Sequence, residues 1–243
     1  MKKIFGFIGS PLRGKSNTFA LTGMLLDRLA KKAGPITCDM LTAGDVTLQY
    51  CQGCWTCMTK GHECCPQDRL DDMPMLKTKM READFIILGT PVHTGHMSGQ
   101  MKTFFDRLAS WYHAMILAGK PGATVVTTGG TPDRALHDFL AELMGCLGIK
   151  PVAALGAVCF SPGAFLNREE AEKKADEVAG LIYPYLSGEK RVESDDRMER
   201  CFQAMKTKII SGKNWLAGYR YWKDHQMLEL DSYEAFLEKR GPA

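Results

Sequence analysis

Ile8-Gly9-Ser10-Pro11-Leu12-Arg13-Gly14-Lys15-Ser16-Asn17-Thr18 is the stretch on which the fold turns. The apolar run before it, Ile4-Phe5-Gly6-Phe7-Ile8, reads as a buried strand. The amphipathic stretch after it, Phe19 to Lys32, reads as a helix. A strand, a tight Gly/Pro/Ser turn and a helix N-terminus in succession make an anion site. N–H groups of the turn and of the first helical turn point outward without partners, and the helix dipole favours negative charge there. Ser10, Ser16, Asn17 and Thr18 add short donors, and Arg13 and Lys15 add positive charge. The guest that fits is a phosphate monoester.

Working outward, apolar runs alternate with amphipathic stretches. Strands are expected at 35–41, 83–90, 123–128 and 152–160, and helices from Asp71 or Asp72 to Arg81 and over 100–118, 134–147 and 169–186. Asp71 or Asp72 reads as the cap of its helix rather than as a catalytic carboxylate. Strands alternating with helices imply a parallel sheet with right-handed crossovers. Five of them fit a flavodoxin-like three-layer α/β/α sandwich with a parallel sheet in the order 2-1-3-4-5, whose ligands sit beyond the strand C-termini. Gly/Pro/Ser-rich segments follow strands one, three and four, so these three loops are expected to meet around one ligand. The expected division is a sandwich domain over 1–186, with a cysteine-rich loop at 51–65, and a helical C-terminal extension over 187–243. Helices at 197–211 and 214–223 are expected to pack their aromatic residues on the core or on a neighbouring chain, with direct contact to the ligand as the alternative.

The 243 residues suit one large domain with an appendage; 45% are hydrophobic and 24% charged, as in ordinary globular proteins. A net charge of +3 argues for neither nucleic acid nor membrane as a partner. No apolar run approaches the roughly 18 residues of a membrane span. Met1-Lys2-Lys3 leads straight into a short strand, so no secretory leader and a cytoplasmic location are expected. In a reducing compartment, nine cysteines, five of them within positions 51–65, suggest metal or redox chemistry rather than a disulfide framework.

Cys51, Cys54 and Cys57 have the compact Cys-x-x-Cys-x-x-Cys spacing seen at cubane iron–sulfur clusters, with a fourth thiol at Cys64 or Cys65. A zinc site and unliganded thiols are the alternatives; zinc more often uses two separated pairs. Cys38, Cys146 and Cys159 fall in expected core elements and read as buried apolar residues. Cys201 carries no signal. Gly9 to Ser16 also spells G-x-x-x-x-G-K-S, the P-loop pattern. A P-loop needs an Asp at the end of a second apolar strand to hold magnesium. The candidate strands 85–90 and 124–128 both end in Thr.

Four pieces in this order resemble the NAD(P)H-dependent FMN reductase family, and within it the iron–sulfur flavoproteins. They are Gly9-Ser10-Pro11 with Ser16-Asn17-Thr18; Cys51-x-Gly53-Cys54-x-x-Cys57 with Asp71-Asp72-Met73; Pro91-Val92-His93 with Ser98-Gly99-x-x-Lys102-x-Phe104-x-Asp106-Arg107; and Thr128-Gly129-Gly130. Tyr221-Trp222-Lys223 is similar to C-terminal extensions in the family. The resemblance implies that Ser10, Arg13, Ser16, Asn17 and Thr18 hold the FMN phosphate. Pro91, Val92, His93, Thr94 and Gly95 would line the flavin ring, and Thr128, Gly129 and Gly130 would pass its other edge. The family often carries an aromatic residue where this chain has His93-Thr94; His93 by itself reads as a loop histidine. Lys102, Asp106 and Arg107 are expected at an oligomer interface or in a surface ion pair.

The function implied is FMN-dependent oxidoreduction. NAD(P)H gives hydride to the flavin, and electrons pass to a small-molecule or protein acceptor, through a [4Fe-4S] cluster if the cysteine loop holds one. No catalytic side chain is demanded. A ferredoxin-fed electron carrier is the alternative, and a P-loop phosphotransferase a more distant one. A homodimer or homotetramer is expected from the apolar helix faces.

Overall fold

The computed structural model describes residues 1–130 and 133–241. Thr131 and Pro132 of the loop expected after the fourth strand, and the last two residues of the expected extension, lie outside them. In chain order the elements are β1 (Lys2–Ile8), α1 (Asn17–Ala33), β2 (Ile36–Thr42), α2 (Thr56–Thr59), α3 (Met73–Glu82), β3 (Phe85–His93), β4 (His96–Met97), α4 (Gly99–Arg107) and α5 (Ala109–Ala114). There follow β5 (Lys120–Thr128), α6 (Arg134–Cys146), β6 (Ile149–Ser161), β7 (Ala164–Phe165), α7 (Arg168–Ser187), α8 (Asp196–Ser211), α9 (Ala217–Asp224) and α10 (Tyr233–Arg240).

The sheet runs β2-β1-β3-β5-β6, all parallel, in the flavodoxin-like order. It is wider than expected: β7 adds antiparallel to β6, and β4 pairs antiparallel with β3, making seven strands. Both additions are two-residue hairpin returns, too short to show as an apolar run. The β3–β4 turn places Thr94 at φ 51° and Gly95 at φ 76°. Two consecutive left-handed residues are what a tight two-residue hairpin requires.

Strand residues alternate between two cores, as period-two geometry dictates. Phe5, Phe7, Ile86, Leu88 and Val126 face α3, α4, α5 and α6. Ile4, Phe85, Ile87, Val125 and Leu155 face α1 and α7. The helix expected over 100–118 breaks at Leu108 into α4 and α5. No proline or glycine marks that break in the sequence. Gly9 allows a close approach in this layer: a Cβ there would stand 2.5 Å from Met101 Cβ. Ser98 Oγ donates to the Gly9 carbonyl at 2.5 Å, fastening the loop after β1 to the start of α4.

The C-terminal helices build a third apolar cluster of Met198, Phe202, Ile209, Trp222, Tyr233 and Phe236, closed against Met115 and Ala118 of the core. Trp222 Nε1 donates to the His113 carbonyl at 2.6 Å, and Tyr233 Oη donates to the Gly148 carbonyl at 2.7 Å. α10 was not expected, because its apolar residues span barely two turns. Among the described residues no helix is long and apolar enough to cross a membrane.

His113 lies in this seam, buried, its Nδ1 without a partner among the described residues. Burial, and then the Lys208 charge, push its pKa down to about 4. The unfolded chain therefore binds this proton more tightly than the folded one. Stability is intact above the unfolded value of about 6.5 and falls as pH drops towards 4. Urea midpoints should fall between pH 7 and pH 5, with His113 contributing on the order of 1–2 kcal/mol of the loss. His113→Gln should flatten that slope; an unchanged slope would place the titration elsewhere.

Candidate functional site

A cleft of about 380 Å³ opens beyond the C-terminal ends of the parallel strands. Its walls come from the loop after β1 (Ser10, Ser16, Asn17, Thr18), from the end of β3 (Pro91, Val92, His93) and from the end of β5 (Thr127, Thr128, Gly129). A fourth wall, Cys159 to Pro162 at the end of β6, was not expected. Its signal was the Ser161-Pro162-Gly163 cluster at the end of the fifth strand.

α1 aims its N-terminus at this cleft. Ser16 caps it, accepting from Phe19 N at 3.3 Å, and keeps its own hydroxyl proton for a ligand. As first-turn donors, Asn17 N–H and Thr18 N–H lack intrahelical acceptors. The Thr18 and Thr127 hydroxyls bond at 2.6 Å, joining the β1 and β5 loops. The Asn17 side chain donates to Ser161 O at 2.8 Å and accepts from Gly163 N at 2.7 Å, so it fixes the fourth wall. Ser10 is buried, and its Oγ accepts only a long bond of 3.4 Å from Leu12 N.

Four expected site residues stand apart from the cleft walls. Arg13 turns away: its Nε donates to Gly44 O at 2.8 Å and pairs with Asp45 at 3.3 Å. Thr94 and Gly95 form the exposed hairpin tip. Gly130 lines an adjoining cavity of about 260 Å³, which shares Thr128 with the cleft, together with Asp133, Asn167, Glu170 and Lys174.

The cysteine loop lies between β2 and α3. Cys51, Cys54 and Cys64 are exposed, Cys57 and Cys65 half-buried, and all five are unbridged. Burial is the main influence raising the Cys57 thiol pKa; a bond from Ser110 opposes it, and the charges of Cys65, Cys51 and Cys54 add to it. Cys65, Cys51 and Cys54 are thus the loop thiols whose charge reaches Cys57. The hydroxyl and backbone of Thr56 pull the Cys54 thiol down. Gly53 at φ 63° and Trp55 at φ 59° supply the sharp bends between the cysteines.

A buried ion network anchors the loop. Arg107 bonds both Asp71 oxygens, reaches Asp68 at 2.5 Å and donates to Gln49 O at 3.0 Å. Lys77 reaches Asp68 at 2.6 Å. Asp71 accepts from Gln49 N at 2.8 Å, and Asp72 from Thr47 N at 2.7 Å. The side chains of Arg107 and Asp71 are 0% exposed. Burial alone would weaken the Arg107 hold on its proton, but Asp71 and then Asp68 reverse that and raise its pKa. Burial likewise pushes Asp71 up, and the bonds from Arg107, Gln49 and Met73 overcome it, leaving its pKa lowered. The expectation for Arg107 is thus corrected. Lys102 and Asp106 do form an exposed i,i+4 pair at 2.5 Å, whereas Arg107 lies a further 100° round the helix and points into the protein. Asp72 stands at the helix N-cap but bonds Thr47 instead, and it is Asp71, one residue earlier, that accepts from Met73 N at 3.1 Å while also serving this network.

Residues 2–159 match the family model described as NADPH-dependent FMN reductase. An iron–sulfur flavoprotein of Archaeoglobus fulgidus is 29% identical over 224 residues, covering 91% of this chain and 98% of that one. One from Methanocaldococcus jannaschii is 34% identical over 143 residues, covering 56% and 70%. The chain belongs to the NADPH-dependent FMN reductase family, in its iron–sulfur flavoprotein group. It is an FMN-dependent oxidoreductase. Membership in this FMN reductase family sets aside the P-loop reading of Gly9 to Ser16. Solved structures agree on the fold. An FMN-dependent NADH-azoreductase of Bacillus anthracis in complex with FMN superposes with a TM-score of 0.57 at 16% identity, covering 75% of this chain and 100% of that one. RosB gives 0.57 at 16%, covering 86% and 88%.

Proposed function

We propose that this protein passes electrons from NAD(P)H through FMN, and through a [4Fe-4S] cluster on the cysteine loop, to a small-molecule or protein acceptor. The observation that carries the proposal is the convergence of four strand-end loops on one cleft at the N-terminus of α1, in a member of this family. FMN, when bound, supplies a ring that accepts hydride and releases electrons singly or in pairs. Ser10, Ser16 and the N–H groups of Asn17 and Thr18 hold its phosphate. Pro91, Val92 and His93 form one wall for the ring, with Thr127, Thr128 and Gly129 opposite. Phe160, 68% exposed at the β6 wall, offers the aromatic face that His93-Thr94 does not.

The cysteine loop fits a cluster by its donors. Cys57 feels the charges of Cys51, Cys54 and Cys65, and Arg107 also feels that of Cys65. Arg107 Nε is buried without an acceptor among the described residues, leaving a donor for added negative charge. Among the described residues no three loop sulfurs come within 4.8 Å of one another. One zinc ion at about 2.3 Å from each sulfur would draw them closer than that. This loop also supports the second reading, an electron carrier fed by ferredoxin. We propose further a homodimer or homotetramer, with exposed Trp55, Trp215, Tyr50 and Leu70 near or at the contact.

Anaerobic absorption spectra and stopped-flow mixing with NADPH or NADH test the reading. Flavin bleaching within a turnover is expected. Flavin bands that bleach only with reduced ferredoxin would favour the carrier. Ser10→Ala should weaken FMN binding by about 1.5–3 kcal/mol, the usual worth of a hydrogen bond to a charged group. Ser16→Ala should add a loss of about 1 kcal/mol in folding stability through the lost cap. Riboflavin, without the phosphate, should be nearly indifferent to both changes in binding titrations. Equal losses for both ligands would put the phosphate elsewhere.

A further inference from the structure

Away from the cleft and the cysteine loop, α6 and α8 bring together two other thiols. Cys146 ends α6, Cys201 lies in the second turn of α8, and their sulfurs are 3.4 Å apart. Glu142, one turn before Cys146, accepts from Cys201 Sγ at 3.5 Å. Arg197, one turn before Cys201, pairs with the same carboxylate at 3.4 Å. The sulfurs and a Glu142 oxygen all lie within 4.8 Å of one another. The cysteines are 55 positions apart, so nothing in the sequence joins them.

Two chemistries compete for such a cluster. A divalent metal would need the Glu142 carboxylate, but the Arg197 guanidinium already neutralises it and repels a second cation. A disulfide needs only the two sulfurs, which must close to about 2.05 Å. The surroundings also divide the roles. Cys146 is half-buried and Cys201 buried, so Cys146 is the sulfur that peroxide can reach, and its bond with Cys201 lowers its pKa. Cys201 is 5% exposed, and the same bond, then burial, raise its pKa. Glu142 stands where the Cys201 proton must go.

We propose that Cys146 and Cys201 are a peroxide-reactive dithiol that closes into a disulfide between the core and the C-terminal helices. The Cys146 thiolate attacks one peroxide oxygen, the O–O bond breaks, and the other oxygen leaves as hydroxide, which takes a proton to become water. Cys146 is now a sulfenic acid. Cys201 gives its proton to Glu142, and its sulfur attacks the Cys146 sulfur. The S–O bond breaks, and the hydroxyl leaves as water with that proton. In sum, two thiols and one peroxide give one disulfide and two waters; the sulfurs lose two electrons and the peroxide gains them. The bond ties α8 to α6, and α9, next in the chain, seats Trp222 on the His113 carbonyl.

The test treats the full-length protein with hydrogen peroxide, alkylates remaining thiols and maps the peptides. A Cys146–Cys201 linked peptide is expected, lost on treatment with a dithiol reductant. In Cys201→Ser, dimedone should label Cys146; in Cys146→Ser, Cys201 should stay unlabelled. Glu142→Gln should slow linkage roughly tenfold while leaving dimedone labelling of Cys146 in the Cys201→Ser background unchanged. The parent map decides even if a serine variant fails to fold. The proposal is overturned if the pair stays reduced while the cysteine loop is oxidised, if Cys201 carries the dimedone, or if the purified protein holds one zinc that Cys146→Ser and Cys201→Ser each release.

Discussion

Cys57→Ser should lose nearly all of the roughly four irons that one cubane cluster carries, after anaerobic preparation and reconstitution. Cys57 is the thiol that feels the charges of Cys51, Cys54 and Cys65, so its replacement removes a member of that set. FMN content should be unchanged, because the phosphate loop is built on α1 and shares no residue with the cysteine loop. Cys65→Ser should behave like Cys57→Ser. Cys64→Ser should keep its iron, since the charges felt by Cys57 come from Cys51, Cys54 and Cys65. Iron and labile sulfide assays, read beside the flavin spectrum, decide among these. Iron lost from Cys64→Ser but kept in Cys65→Ser would reverse the fourth ligand. A parent that takes up no iron and still reduces acceptors at full rate with NADPH would make it a plain flavin reductase.

Arg107→Leu should cost about 3–5 kcal/mol of stability by urea unfolding, the usual penalty for removing one partner of a buried ion pair. The change strands the Asp71 carboxylate, fully buried, and leaves Asp68 with Lys77 alone. It also removes the donor to Gln49 O, so iron loading should fall although every thiol remains. Adding Asp71→Asn should recover part of the loss, because the stranded charge is then gone and the two residues are coupled. A cost below about 1 kcal/mol would mean that water reaches the network and that it behaves as a surface pair. The Asp71 pKa is lowered in the folded state, so its share of the stability is present above about pH 4. That share fades as pH falls below the unfolded carboxylate value.

The five parallel strands were legible because each is a short apolar run between turn residues, and the turn that opens α1 because Gly, Pro and Ser follow the first of them. The three expected cleft walls follow from that placement. What escaped the sequence depends on distance. Arg107 sits beside Asp106 in the chain, and helical spacing reveals which residue shares a face but not what that face meets. The fourth wall at Phe160 to Pro162 is brought in by Asn17, 144 positions from Ser161. The seam between Cys146 and Cys201 depends on how α8 folds back, which no periodicity encodes. The break between α4 and α5 is set by packing at Leu108, a good helix former.

The two layers of helices divide the labour. The phosphate loop caps α1, on one face of the sheet, while the cysteine loop is held by α3, α4, α5 and α9 on the other. Cooperative opening follows such packing, with each layer a separate unit of local unfolding. The carboxylates of Asp72 and Asp71 hold the amides of Thr47 and Gln49. Those amides therefore exchange with solvent hydrogen only when the ion network opens, whereas the amides of α1 exchange on their own clock. The cysteine loop can open while α1 stays folded.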